Sequence, residues 1–357
     1  AYLLASAVFL LPFGRLADIH GRRKIFTMGL AIFTLASFLL LFVSTATGIV
    51  LLRILQGAGA SLIFGTAVAI LTSVTPPAER GRALGIYTTS VYLGLSAGPF
   101  IGGWLVHFFG WRSIFLVNVP IGLFTLALIF LYLDGEWADA VGEPFDLGGS
   151  VQYGLTLICV MLGFTLLPDR EGLILLAAGS LMMLVFINRE RRVRYPILDL
   201  CLWTKNRIFA FSNLAAFINY SATFSVTFFL SLYLQYVRGF DPWIAGAILV
   251  VQPVAQAAVS PLAGRLSDKI EPGRVASAGM ALTAAGLAAL VFVGEATPIP
   301  LLAAILVLTG LGLGIFSSPN TNAIMGSVEK RLYGTAAGTL STMRLLGQTL
   351  SMGLAMM

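Results

Sequence analysis

Two positive charges stand inside long apolar runs of this chain, Arg53 and Arg344. An arginine in such a run costs about 3 kcal/mol to insert into a membrane and faces a polar cavity or a partner, so both positions are candidate functional sites. At Arg53 the alternative is a side chain that snorkels to the nearer membrane face. Asn213, Asn219, Tyr220, Gln252, Gln256, Asn320, Asn322 and Gln348 are the neutral polar groups best able to line a path between helices. Hydrogen bonding between helices, worth about 0.6 kcal/mol, would equally account for each of them. All 16 Asp and Glu residues fall in or beside the polar gaps, so no carboxylate is an evident proton carrier at mid-membrane. His20 and His107 lie at the ends of apolar runs, and Cys159 and Cys201 have no evident partner. This pattern argues against an intramembrane enzyme, and no metal site or cofactor is expected.

The elements that must carry these residues follow from composition. With 58% hydrophobic and 11% charged residues the chain departs from soluble domains, in which about 25% of residues are charged. Twelve apolar segments, from about 1–13 to about 335–357, alternate with short polar gaps and read as membrane helices. The first looks too short to span. The gaps at 14–25, 73–82, 189–207, 264–274 and 327–334 hold 17 of the 22 Lys and Arg residues, whereas the opposite gaps hold only Arg112, Arg170 and Arg238. That bias places the five basic gaps in the cytoplasm. It also explains a net charge of +6 without a nucleic-acid partner. One gap on the same side disobeys: 134–148 carries Asp134, Glu136, Asp139, Glu143 and Asp146 and no basic residue.

The first basic gap, Gly14-Arg15-Leu16-Ala17-Asp18-Ile19-His20-Gly21-Arg22-Arg23-Lys24, has glycines for a tight reversal and an aspartate suited to a helix N-terminus. A looser copy stands at Gly264-Arg265-Leu266-Ser267-Asp268-Lys269. The first copy resembles the loop motif between helices 2 and 3 of the major facilitator superfamily. Arg53-Ile54-Leu55-Gln56-Gly57-Ala58-Gly59-Ala60 is similar to that family's helix 4 motif, and the run Gly94 to Gly103, with Gly98, Pro99 and Gly102, to its antiporter motif in helix 5. The resemblance implies an all-α polytopic fold of two pseudo-symmetric six-helix bundles, a role for Arg53 in proton transfer, and a kinked helix at Pro99 that favours exchange over leakage. Small residues there would let helices approach closely.

Eight apolar segments separate the two loop motifs where a twelve-helix member would have six. The surplus pair, at about 149–167 and 172–188, resembles the fourteen-helix drug:H⁺ antiporter branch. On that reading 1–133 holds helices 2 to 6, 134–207 is a linker with the two extra helices, and 208–357 holds helices 9 to 13, with both ends of the protein cut away. Gly338, Arg344, Gly347 and Gln348 look like patterns of the same branch. The implied activity is proton-coupled export of small lipophilic or drug-like compounds from a cell membrane, powered by the proton gradient, by a protein expected to be monomeric and surrounded by lipid. An exporter of a siderophore, sugar or amino acid is the alternative. Symmetry further suggests that Asp18 meets the helix starting near Thr335, and Asp268 the helix starting near Arg82, each pair latching the cytoplasmic side.

Overall fold

The computed structural model describes residues 1–355, apart from the side chains of residues 99 and 100. Long unalternating apolar runs leave the backbone no partner in lipid but itself, and the described chain is accordingly helical. The first five helices are α1 (Tyr2–His20), α2 (Arg22–Leu39), α3 (Ala46–Val74), α4 (Arg80–Phe109) and α5 (Ser113–Tyr132). The pair α6 (Leu147–Thr165) and α7 (Arg170–Glu190) follows, then the short α8 (Leu200–Thr204). The remainder is α9 (Arg207–Leu232), α10 (Pro242–Leu249), α11 (Val251–Lys269), α12 (Pro272–Leu290), α13 (Ile299–Gly326) and α14 (Tyr333–Ala355). Among the described residues ten helical stretches are long and apolar enough to cross a membrane, α10 and α11 forming one of them. The basic first turn of α2 and the mixed composition of α14 account for their absence from that set.

Side-chain oxygens start several helices, with Thr45, Asp146 and Asn206 accepting from the backbone N–H of Gly48, Gly149 and Phe209. Large apolar side chains such as Phe42, Leu131 and Phe292 cover the outside, as a lipid boundary allows. Buried Val68, Leu84, Phe209, Phe316 and Leu340 form a core where α3, α4, α9, α13 and α14 converge. A second core joins α1 and α14 to α6 and α7 through Leu11, Tyr153, Leu157 and Phe186. Two of the closest helix pairings join distant parts of the chain: α1 lies along α14, and α4 along α11.

Two expectations need correction. The gap 14–25 is no loop, since α1 runs to His20 and α2 begins at Arg22, leaving Gly21 alone to reverse the chain at φ 107°, where glycine is free of the Cβ clash. The copy behaves alike, with α11 reaching Lys269 and α12 starting at Pro272. Because the motif is helical, α1 has 19 residues and reaches membrane length, where the apolar run alone looked too short. The acidic gap 134–148 also finds its explanation. It folds back on the hairpin, with Arg22 N–H donating to Trp137 O and Ala140 N–H to Asp18 O, both at 3.0 Å. A basic first turn is unfavourable at a helix N-terminus, and the Glu136 carboxylate offsets it by accepting from the N–H groups of Arg23 and Lys24 at 2.8 and 3.0 Å.

Candidate functional site

The hairpin face is held by two helix crossings built to one plan. In the first, α1 meets the start of α14 at Gly14 and Gly334, so close that a Cβ on either would collide with the other's carbonyl oxygen. A Cβ at Gly338 would likewise crowd the Leu10 carbonyl at 2.7 Å. One turn on, Asp18 lies against the α14 N-terminus: its carboxylate accepts from Gly334 N–H at 2.7 Å, Thr335 N–H at 2.8 Å and the Thr335 hydroxyl at 3.1 Å. In the second crossing α11 meets the start of α4 at Gly264 and Gly81, again backbone to backbone, and Gly85 faces the Ser260 carbonyl. Asp268 accepts from Gly81 N–H at 2.6 Å and Arg82 N–H at 2.9 Å. Each carboxylate thus fills the unpaired donors at a helix start, where the dipole favours negative charge. The contacts expected from symmetry for Asp18 and Asp268 are present.

Charge distinguishes the two crossings. Asp18 and Arg22 are both fully buried and paired at 2.7 Å. The Arg22 guanidinium also donates to Asp139 at 2.8 Å, to Ser73 at 3.0 Å and to the Lys330 carbonyl, and lies over the Tyr333 ring. Arg80 reaches that tyrosine too, donating to its hydroxyl at 3.1 Å, so Tyr333 ties the start of α4 to the first crossing. Glu143 pairs with Arg15 and stands 3.8 Å from Arg331, joining α1 to the approach to α14. Sequence reasoning missed Gly81, Gly85 and Gly334, although the small-xxx-small spacing at 81–85 and 334–338 was there to be read. It also missed Asp139 and Glu143 as partners, because nothing in an acidic gap says which helix it will fold against.

Above the crossings lies a cavity of about 1140 Å³. Since α1 ends and α4 and α14 begin on the hairpin face, the opposite face holds Tyr2 and Leu3, Trp104, His107 and Phe108, and Met352. All of these line the cavity, as do Pro242 and Trp243 at the start of α10. The cavity therefore reaches the far face, while the two crossings close it on the hairpin side. Aromatic and aliphatic side chains dominate its wall. Arg344 is its arginine: the guanidinium donates to the Thr321 hydroxyl at 2.8 Å and lies 5.6 Å from the Tyr220 ring centre, while its Nε is buried without a hydrogen-bond partner. Tyr220 and Tyr92 share a hydroxyl contact of 3.0 Å beside it. Neither Arg344 nor Arg53 has a carboxylate partner among the described residues.

Of the polar groups expected along a path, Tyr220, Gln252, Gln256 and Gln348 line this cavity and four do not. Asn213 donates to Phe209 O within its own helix, Asn320 to Ser212 O, and Asn322 to Ser267, while Asn219 is buried beyond the wall. Arg53 does not line the cavity: it donates to Gln56 at 2.6 Å and lies 4.5 Å from the ring centre of Tyr2, which does. Gly94, Gly98 and Gly102 do not form the close helix contact their spacing suggested. Nothing lies within 4 Å of a Cβ built at any of them or at Gly103; Gly94 and Gly98 are exposed, and the tight contacts of α4 belong to Gly81 and Gly85. The side chain of Pro99 lies outside the described residues.

The family model of the Major Facilitator Superfamily matches residues 1–352. The chain belongs to that superfamily. Among curated members it is 32% identical to the riboflavin transporter RibZ of Clostridioides difficile, over 96% of this chain and 75% of the relative. It is 31% identical to the multidrug resistance protein Stp of Mycobacterium tuberculosis, over 98% of this chain and 66% of the relative. The superfamily fold is also seen in the crystal structure of the human organic anion transporter MFSD10, with a TM-score of 0.73 at 16% identity, covering 99% of this chain and 75% of that one. As a superfamily chain it is a multi-pass membrane protein of a transporter family.

Proposed function

We propose that this chain is the greater part of a proton-coupled exporter of small lipophilic, drug-like compounds, of the fourteen-helix branch, supplying helices 2 to 13. The observation that carries this reading is the aromatic-walled cavity of about 1140 Å³, shut on the hairpin face and open on the other. Such an arrangement suits release of an apolar solute outward, followed by rocking of the two halves around a midplane site. Residues 1–133 and 208–357 would be the rocking bundles, and 134–207 the linker that straps one to the other. The hairpin face would lie in the cytoplasm. The crossings at Asp18 and Asp268 would open when the site faces inward. Arg53 and Arg344 would bias the charge state of the path, with the proton gradient as energy source.

Uptake into everted vesicles bearing the full-length protein, with a panel of fluorescent lipophilic compounds and an imposed pH gradient, tests the reading. Gradient-dependent uptake that collapses with a protonophore is expected. Flux that ignores the gradient for every compound would remove proton coupling. A second reading, export of a defined solute rich in acceptor groups such as a siderophore, sugar or amino acid, is favoured by Arg344, whose guanidinium meets the cavity without a carboxylate partner among the described residues.

A further inference from the structure

A second cavity, of about 360 Å³, lies between α1, α6, α7 and α14, away from the central one. Its wall is apolar, formed by Leu11, Leu157, Met183, Phe186 and Leu346 among others, and Arg191 stands in its lining where α7 ends on the hairpin face. The adjoining segment is the most basic in the chain. Arg191, Arg192, Arg194 and Lys205 are exposed and form no ion pair among the described residues, whereas Arg15, Arg22 and Arg331 are neutralised by Glu143, Asp18 and Glu329. A further unmatched donor lines the slot: the indole N–H of Trp203 is buried without a hydrogen-bond partner.

We propose that this slot binds an anionic phospholipid from the hairpin-side leaflet, its phosphate on Arg191 and one acyl chain between the α6–α7 pair and α14. A soluble phosphorylated compound would leave the apolar wall unmatched, and a zwitterionic lipid would leave the cations unmatched. An anionic lipid satisfies both ends, and the hairpin side is the side on which free basic residues meet anionic headgroups. Seated there, the lipid packs α6 and α7 against α14, the helix whose start carries the Asp18 crossing.

Quenching of Trp203 fluorescence by brominated-acyl lipids in the purified full-length protein tests this, with the Trp203→Phe variant subtracted to isolate one indole. Brominated phosphatidylglycerol should quench Trp203 at mole fractions about fivefold below brominated phosphatidylcholine, the advantage expected of one basic residue at an anionic headgroup. Arg191→Gln, at an exposed position that leaves the fold intact, should abolish that difference while both lipids still quench. Equal quenching by the two lipids in the unsubstituted protein would overturn the proposal, as would a preference that survives Arg191→Gln or an indole that neither lipid reaches.

Discussion

The two crossings share a backbone plan and differ in electrostatics. Gly14 on Gly334 and Gly264 on Gly81 bring helices into backbone contact, and in each case an aspartate four residues later, Asp18 or Asp268, caps the partner helix. Four residues beyond Asp18 stands Arg22, fully buried and paired; four beyond Asp268 stands Pro272. Arg15 is buried on Glu143, while its counterpart Arg265 is exposed. Glycine contact and a capped helix start are therefore enough to make a crossing. The ion network is an addition, confined to the half that the acidic segment can reach.

If that division is right, removing the two aspartates should have unequal effects. Asp18→Asn takes from Arg22 its fully buried partner, leaving it only the half-exposed Asp139, and removes the charge that caps the helix start, so it should weaken its crossing by about 3 kcal/mol, roughly a hundredfold in the population held closed. The double variant Asp18→Asn with Arg22→Gln should be milder than Asp18→Asn alone, which denaturation in detergent and efflux in vesicles can both report. Asp268→Asn loses only charge against a helix start and should cost about 1 kcal/mol. An equal loss in the two single variants would show that Arg22 adds nothing. Between these extremes, Gly14→Ala and Gly264→Ala test what the crossings have in common. Each forces two backbones apart at about 1–3 kcal/mol, and the two should be alike. A large difference between them would mean that the shared plan is only apparent.

The smallest effect belongs to an ion pair outside both crossings. Arg189 donates to Asp146 at 2.5 and 2.7 Å, joining the start of α6 to the end of α7, and these hydrogen bonds hold the Asp146 carboxyl below its ordinary range. A group lowered on folding contributes stability above its unfolded-state titration and loses it as pH falls through the folded one. Asp146→Asn should thus lower thermal stability slightly at neutral pH, converge with the unsubstituted protein in strong acid, and leave flux unchanged.

The membrane helices were legible because lipid imposes long apolar runs, so their number and order followed from reading those runs along the chain. The aspartate contacts were legible because the sequence repeats itself at Gly14 and Gly264. Hairpin boundaries were harder to read, since a charged stretch at a helix end looks like a loop until a partner such as Glu136 offsets its charge. The path residues were hardest. Asn213 and Gln256 have the same kind of polar head in the same kind of apolar run, and only the rotation of the helix decides that one bonds its own backbone while the other lines the cavity. Trp104, His107 and Trp243, also in that wall, carried no signal of their own because aromatic residues occur throughout the chain.

The central claim is that the Asp18 crossing holds the hairpin face shut. Spin labels at the exposed positions 24 and 329, on α2 and just before α14, report the separation across it by double electron–electron resonance in full-length protein. A single short distance that gives way to a second, longer population in Asp18→Asn is the predicted result. An unchanged distance distribution in that variant would contradict the account.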